Sequence, residues 1–246
     1  MNLKLTFVTC LLMGIGTVFA ETDPKAIELL ERVDNLYQQD NSHAVMTMEI
    51  TTPDFSRSMS MESWSIGLDY SLVRVLEPKK ERGVSTLKRE NDMWNYLPKI
   101  KKVLKVPPSM MMGSWMGSDF TNDDLMREGS WVDEFDVALS EDDSTYTLDL
   151  VAKPNTVTVW GKMQIIIDKS NLMPVKQVYF DEDGTPMREM LFSEVKTFDD
   201  VLLPTVMELK PLNKPENVTR VIYESMEFNV DIDEDFFSLQ NLKKTR

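Results

Sequence analysis

The sequence predicts an α+β fold in which one amphipathic helix precedes a long series of antiparallel strands. Apolar residues recur every three or four positions over residues 24–37, and from residue 43 onward their spacing is two. Turn-forming clusters of Asp, Asn, Gly, Ser and Pro separate the later apolar segments at hairpin intervals. Connections this short cannot make the crossovers that parallel strands need. We therefore expect about 10–12 antiparallel strands in one domain over residues 21–246.

The first twenty residues have the composition of a secretory signal peptide. A basic start that ends at Lys4 precedes an apolar segment over residues 5–19, and a small-residue cleavage site ends at Ala20. The apolar segment is too short for a membrane-spanning helix. Cys10 lies in the middle of this segment, whereas a lipoprotein signal needs its cysteine at the end. The sequence therefore predicts cleavage after Ala20 and an exported, periplasmic protein.

Cysteine content, charge and histidine content narrow the function classes. Cys10 is the one cysteine, so residues 21–246 cannot form a disulfide scaffold. The formal net charge of −14 argues against a nucleic-acid partner. His43 is the one histidine, which leaves Ser-His-acid and Cys-His catalysis without support, although the 41 acidic residues offer many accidental carboxylate pairs. We predict a protein that is not an enzyme and has no cofactor or metal site.

The first elements follow from changes in periodicity. Asp23 is the predicted N-cap of a helix that has Pro24 at its first position and ends near Asp40. The spacing of apolar residues then predicts strands over residues 43–50, 57–66, 70–76, 84–89 and 93–97.

Residues 107–120, PPSMMMGSWMGSDF, form a segment that we call the methionine loop. Two prolines stop the preceding strand, and Gly113 and Gly117 permit tight turns. Three interpretations remain open: a plug at the end of the hydrophobic core, a flap that contacts a ligand or partner, and a Cu(I) site made by thioether sulfur. The flexible or aromatic side chains of the loop are Met110, Met111, Met112, Trp115, Met116 and Phe120.

A basic patch in this acidic protein directly precedes the methionine loop. It consists of Lys99, Lys101, Lys102 and Lys105. Lysines of this kind protect a strand edge from aggregation, and they can also bind an anionic head group or an acidic partner. The sequence leaves both interpretations open.

The chain after the methionine loop is predicted to form a short helix and then only strands. Thr121 is the predicted cap of a helix with acidic residues in its first turn. The residues 233–237, DEDFF, predict a capped turn that buries two phenylalanines. Strands are predicted over residues 131–140, 145–152, 157–168, 174–179, 186–198, 202–209 and 217–228.

Several of these motifs occur together in a known order. They are the signal peptide, the single helix, Glu77-Pro78 and Arg82-Gly83 after the third strand, Trp94-Asn95-Tyr96-Leu97-Pro98, and residues 107–125. In this order they resemble the outer-membrane lipoprotein-sorting proteins of the LolA-like superfamily, and more narrowly its branch associated with RND/MMPL-type exporters. The resemblance implies a strongly curved, half-open barrel whose concave apolar face is covered by helices and holds acyl chains. It also implies that an arginine in an early strand, Arg57 or Arg74, latches the cover.

On this resemblance we expect a periplasmic, non-enzymatic carrier or chaperone. It would pass a lipid or lipoprotein acyl group between an inner-membrane transporter of the RND/MMPL type and the outer membrane, as a monomer without stable membrane insertion. The methionine loop is foreign to lipoprotein carriers, so the cargo can be another lipid. The alternative is a cargo-free adaptor or sensor module of such an exporter. The expected cavity residues are Met110, Met111, Met112, Trp115, Met116, Phe120, Trp94 and Trp64, and the expected partner or head-group contacts are Lys99, Lys101, Lys102 and Lys105.

Overall fold

The computed structural model describes residues 23–127, 131–156 and 158–245. The predicted signal peptide and Val157, where a strand was expected to begin, lie outside these residues. The helices are α1 (Pro24–Asp34), α2 (Asn122–Arg127), α3 (Trp131–Glu134) and α4 (Leu239–Leu242), with 3-10 turns at Pro108–Met110 and Glu234–Phe236. The strands are β1 (Asn41–Thr51), β2 (Ser56–Ile66), β3 (Tyr70–Glu77), β4 (Ser85–Arg89), β5 (Asp92–Leu97), β6 (Lys102–Lys105), β7 (Phe135–Glu141), β8 (Thr145–Ala152), β9 (Lys162–Asp168), β10 (Pro174–Phe180), β11 (Pro186–Phe198), β12 (Val201–Pro211) and β13 (Val218–Phe228).

The strands of the described residues form one antiparallel sheet in the order β6-β5-β4-β3-β2-β1-β13-β12-β11-β10-β9-β8-β7. Neighbours in the sheet are also neighbours in the chain, except where β1 pairs with β13. The sheet is open, with β6 and β7 at its edges. The predicted antiparallel α+β fold is therefore confirmed, with 13 strands in the sheet.

Three predicted elements differ from the structure. The strand expected over residues 157–168 begins only at Lys162, as β9. Residues 131–140 form α3 and then β7, where one strand was expected. Lys153 donates to the backbone carbonyls of residues 132 and 133, and the Thr156 hydroxyl donates to the carbonyl of Glu134. The carbonyl groups of this short helix therefore find hydrogen-bond donors about 20 residues away in the chain. Helix α1 ends at Asp34, well before Asp40, because the Asn35 side chain caps the carbonyl of Glu31.

One face of the sheet carries most of the hydrophobic core. Alternate residues of β1 are buried, with Met48 fully enclosed and Ile50 almost so, as the period of two predicts. Helix α1 buries Leu29 and Leu30 against β7, β8 and β9, and Trp115 of the methionine loop packs in a cluster with residues of β1, β2 and β3. Helix α1 and this loop therefore cover different parts of the same face.

The C-terminal segment covers the opposite face of β3, β4 and β5. Phe237 and Leu242 are fully buried there against Leu72, Leu87 and Tyr96. Asp233 accepts the Phe236 N–H, which forms the predicted capped turn, although Phe236 is only partly buried. Across the part of the chain that the structure describes, no helix is both long enough and apolar enough to span a membrane.

Candidate functional site

A cavity of about 240 Å³ lies between the sheet, the end of α1 and the methionine loop. Val73 on β3 and Tyr179 on β10 both line it. These strands are six strand spacings apart in the sheet, which is about 29 Å along a flat sheet at about 4.8 Å per spacing. Because both residues line the same small cavity, the sheet must be strongly curved, and the cavity lies on its concave face.

Methionines of the strands form much of the cavity wall. Methionine has three rotatable bonds and a polarizable sulfur, so such a wall can adapt to ligands of irregular shape. The sequence predicted cavity methionines in the loop and not in the strands, because methionines that alternate along a strand resemble ordinary core residues. The methionines that line the cavity are Met46 on β1, Met61 on β2, Met163 on β9, Met190 on β11, Met207 on β12 and Met226 on β13.

The methionine loop divides into an inner and an outer half. Trp115 and Phe120 line the cavity, and Trp115 is only 7% exposed. Met116 is partly buried and packs on the cluster around β1 to β3. Met110 and Met112 are 59% and 45% exposed and point away from the core. Met111 is partly buried outside the cavity lining. The inner half forms a roof over the cavity, and the outer half faces solvent.

Polar contacts hold the inner half of the loop in place. The Trp115 indole N–H donates to the Thr86 hydroxyl at 3.0 Å. The Asp119 carboxylate accepts from the Thr219 hydroxyl at 2.8 Å and from the Asn217 amide at 3.3 Å. The roof is therefore attached both to β4 and to the strand at the centre of the sheet.

The two candidate latch arginines have different roles. Arg57 donates to the Met116 carbonyl at 3.0 Å and pairs with Glu81 at 3.3 Å. Arg74 pairs with Glu62 at 3.1 Å and donates to the Asn241 carbonyl at 3.0 Å. Arg57 therefore contacts the loop, whereas Arg74 holds the C-terminal segment on the other face.

A third arginine, Arg188, binds the helix that follows the loop and was not predicted from the sequence. Arg188 on β11 donates through both terminal nitrogens to Asp124 on α2, at 2.8 and 2.5 Å. Its guanidinium lies 4.2 Å from the Tyr179 ring centroid and 4.5 Å from that of Trp160. Arg188 is two residues before the buried Met190 on β11, so both side chains lie on the buried face of the strand. A charged residue at such an alternating, otherwise apolar position is the signal in the sequence that indicates a buried ion pair.

The ionisation of this pair follows from its surroundings. Burial disfavours the charged form of Asp124, but the hydrogen bonds and charge of Arg188, together with hydrogen bonds from Thr121, outweigh it and lower the pKa of Asp124. Burial likewise opposes the charge on Arg188, and the bonds to Asp124 outweigh it, so the pKa of Arg188 is raised. The pair is ionised at neutral pH.

The two other tryptophans predicted for the cavity belong mainly to the opposite face. Trp64 borders the cavity, but its ring stacks on His43 at 5.1 Å and packs against Phe236 at 5.3 Å. Trp94 packs in the same C-terminal cluster, with the Lys105 ammonium 5.6 Å from its ring centroid. Alternation along a strand places these rings away from the concave side.

The basic patch lies at an edge of the sheet. Lys102 and Lys105 bound β6, and Lys99 and Lys101 lie in the preceding turn, all exposed to solvent. Lys105 pairs with Asp92 at 2.7 Å. Two exposed apolar side chains lie between the lysines, namely Ile100 at 56% and Leu104 at 46% exposure.

Solved structures of other proteins have the same fold as this chain. A DUF1329 family protein from Desulfovibrio piger aligns at 23% identity with a TM-score of 0.79, covering 90% of this chain and 100% of that chain. An outer membrane lipoprotein-sorting protein domain from Vibrio parahaemolyticus aligns at 19% identity with a TM-score of 0.77, covering 89% and 99%. A LolA superfamily protein from Nitrosomonas europaea aligns at 20% identity with a TM-score of 0.72, covering 90% and 100%. The LolA-like fold that the motifs predicted is confirmed by these structures.

A family model described as "Uncharacterized protein" matches residues 67–244, which is more than half of the chain. The chain therefore belongs to that family. Among proteins of curated function, none matches this sequence.

Proposed function

We propose that this protein is a periplasmic carrier that binds an acyl chain of a lipid or lipidated protein in its cavity and catalyses no reaction. The cavity under the Trp115 roof is the observation that supports this proposal. Each methylene that leaves water for an apolar site contributes about 0.8 kcal/mol, so about ten methylenes contribute about 8 kcal/mol. A cargo-free adaptor would have no use for an apolar cavity of this kind.

The size of the cavity bears on how cargo enters. Its volume of about 240 Å³ is below the range of about 300–1,000 Å³ that is typical of small-molecule sites. The closed form therefore has room for part of a long acyl chain. Full loading requires the roof to move and the wall methionines to change rotamer, which their flexible side chains allow.

The basic edge of the sheet provides the docking surface in this proposal. Ile100 and Leu104 lie between lysines, and the exposed Met110 and Met112 follow β6 in the chain. Lysines attract anionic lipid head groups, and neighbouring apolar side chains enter the interface, so this edge suits a membrane surface. The carrier would take cargo from an inner-membrane transporter of the RND/MMPL type and deliver it to the outer membrane.

Probe displacement tests the binding proposal. Residues 21–246, purified without detergent, are analysed for co-purifying lipid by mass spectrometry and titrated with the fluorescent probe N-phenyl-1-naphthylamine. We expect bound lipid and a probe signal that an added acyl compound abolishes. The absence of both lipid and probe binding would contradict the proposal.

A cavity-filling variant locates the bound chain. Val73→Trp adds volume at a residue that lines the cavity, and we expect probe binding to fall at least about tenfold. Val151→Trp makes the same change at a residue that is 52% exposed, and it should bind the probe normally. Thermal melts of both variants show whether each is folded. Equal binding by two folded variants would place the acyl chain elsewhere.

A further inference from the structure

One part of the cavity lining is polar, and its groups come from three adjacent strands. Ser42 on β1 is the register partner of Ser65 on β2, and Ser65 is the partner of Ser71 on β3. Ser63, two residues from Ser65 along β2, lies on the same face of the sheet. All four serines line the cavity, and the hydroxyl oxygens of Ser42 and Ser65 are 2.8 Å apart. These four serines, which we call the serine row, therefore lie on neighbouring strands at one part of the concave face.

The end of α1 and the turn after it add two further polar groups to the lining. Asp34 and Gln38 both line the cavity and are only 7% and 8% exposed. The side-chain oxygen of Gln38 is buried and has no hydrogen-bond partner among the described residues. A buried acceptor without a partner is costly, and a ligand that donates a hydrogen bond would remove that cost.

The charges of the lining have one sign. Its ionisable acidic residues are Asp34, Asp123, Asp124 and Glu134, and no Lys, Arg or His occurs among the described lining residues. Arg188 binds Asp124 with both terminal nitrogens, so its charge is already used by that carboxylate. A carboxylate or phosphate head group would therefore be buried without a cationic side chain to pair with among the described lining residues, which is costly.

We infer that Gln38, Asp34 and the serine row form a subsite for the head group of an uncharged or cationic amphiphile that donates hydrogen bonds, such as a hydroxyl or an ammonium group. This inference rests on the proposed function, because the apolar part of the cavity must hold the acyl chain of the same ligand. The four serines can donate to or accept from a hydroxylated head group, and the Gln38 oxygen and the Asp34 carboxylate accept from it. The cavity therefore selects against fatty acids and phosphate monoesters.

Competition between compounds with the same twelve-carbon chain tests this inference. Monolaurin, dodecylamine, laurate and dodecyl phosphate are each titrated as competitors of N-phenyl-1-naphthylamine bound to residues 21–246. We expect monolaurin and dodecylamine to act at concentrations at least about tenfold below those of the two anions. Equal potency, or stronger displacement by laurate, would overturn the inference and leave the carrier proposal intact. Failure of all four compounds and of the probe to bind would overturn both.

Matched variants connect the selectivity to the subsite. Gln38→Leu removes the buried acceptor, and we expect the advantage of monolaurin over laurate to fall to within about threefold while probe binding is retained. Gln240→Leu makes the same change at an exposed residue of α4, outside the cavity lining, and should keep the full advantage. Asp34→Asn should weaken dodecylamine about tenfold more than monolaurin. An unchanged preference in folded Gln38→Leu protein would contradict the assigned subsite.

Discussion

Two points of the segment that covers the cavity, residues 107–127, are held by arginines in very different settings. We call Asp124 on α2 the α2 end and Met116 in the methionine loop the loop end. At the α2 end, the Arg188 and Asp124 side chains are 6% and 18% exposed and are joined by two hydrogen bonds. The guanidinium of Arg188 also contacts two aromatic rings. At the loop end, the Arg57 and Glu81 side chains are 29% and 21% exposed, and one hydrogen bond reaches the Met116 carbonyl. Arg188 therefore makes a buried attachment through two hydrogen bonds at the α2 end, whereas the attachment that Arg57 makes at the loop end is partly solvated.

Because of this difference, we expect one end of the cover to stay attached and the other to open. Removing one partner of a buried ion pair strongly destabilises the folded protein, because the other charge then remains buried and uncompensated. A partly exposed pair contributes little and can open at small cost. We therefore expect the cover to pivot about α2 and to open at the methionine loop when cargo enters or leaves.

The largest expected effect is on stability. Arg188→Met leaves the Asp124 carboxylate buried without its partner and should lower the free energy of unfolding by about 3–5 kcal/mol. Arg57→Met should lower it by less than about 1 kcal/mol. Denaturation in urea, followed by tryptophan fluorescence, measures both values.

The double variant Arg188→Met/Asp124→Leu is the control for that prediction. It removes both charges, so it should recover most of the stability that Arg188→Met loses. Equal losses in the Arg188 and Arg57 single variants would show that the two ends of the cover are held alike.

The Arg188 anchor also shows where sequence reasoning ends. Local patterns predicted the helix cap at Asp23, the hairpins and the turn that buries Phe237, because each depends on residues close together in the chain. Asp124 and Arg188 are 64 positions apart, and only the curvature of the sheet brings them together. The partner of a buried charge is fixed by tertiary packing, which no local period encodes.

The cavity residues show the same limit. The methionine loop was conspicuous in the sequence because three consecutive methionines are followed closely by Trp115, Met116 and Phe120, but Met110 and Met112 are exposed. Met46 and Met61 occupy ordinary alternating positions in β1 and β2, yet they line the cavity. Alternation identifies the inward face of a strand. It does not tell whether that face meets another side chain or an open cavity.

A cross-link across the loop end should have the next largest effect. The Asp119 backbone N–H donates to the Thr219 hydroxyl at 2.9 Å, and this hydroxyl donates to the Asp119 carboxylate at 2.8 Å. The two residues are in direct contact, so we choose these positions for a pair of cysteines. Residues 21–246 contain no other cysteine. Oxidised Asp119→Cys/Thr219→Cys protein should exchange bound probe at least about tenfold more slowly than its reduced form in a stopped-flow measurement.

Controls separate the cross-link from the substitutions. The Asp119→Cys and Thr219→Cys single variants should respond equally in oxidising and reducing buffer. If the cross-linked protein exchanges probe at the rate of the reduced protein, the loop end does not open during exchange and the pivot must lie elsewhere.

A smaller effect on exchange is expected from the loop anchor alone. Arg57→Met removes the hydrogen bond to the Met116 carbonyl and the contact with Glu81. If the closed position of the loop loses up to about 1 kcal/mol of stability, probe exchange should accelerate by up to about fivefold. Arg74→Met is a suitable comparison, since that arginine holds the C-terminal segment, and its exchange rate should stay near that of the unmodified protein. Slower exchange in Arg57→Met protein would contradict its role as an anchor.

The smallest expected effect concerns pH at the α2 anchor. Because Arg188 and Thr121 hold the pKa of Asp124 below its ordinary value, the carboxylate contributes stability above the unfolded-state pKa of about 3.9 and loses it as the pH falls through the lower folded value. The difference in unfolding free energy between the unmodified protein and Asp124→Asn should therefore be constant from about pH 5 to pH 8 and shrink only below about pH 4. Urea denaturation at several pH values measures this difference, and other carboxylates cancel because both proteins contain them. A difference that changed between pH 5 and pH 8 would mean that Asp124 titrates in that range, and the anchor would then act as a pH-dependent release.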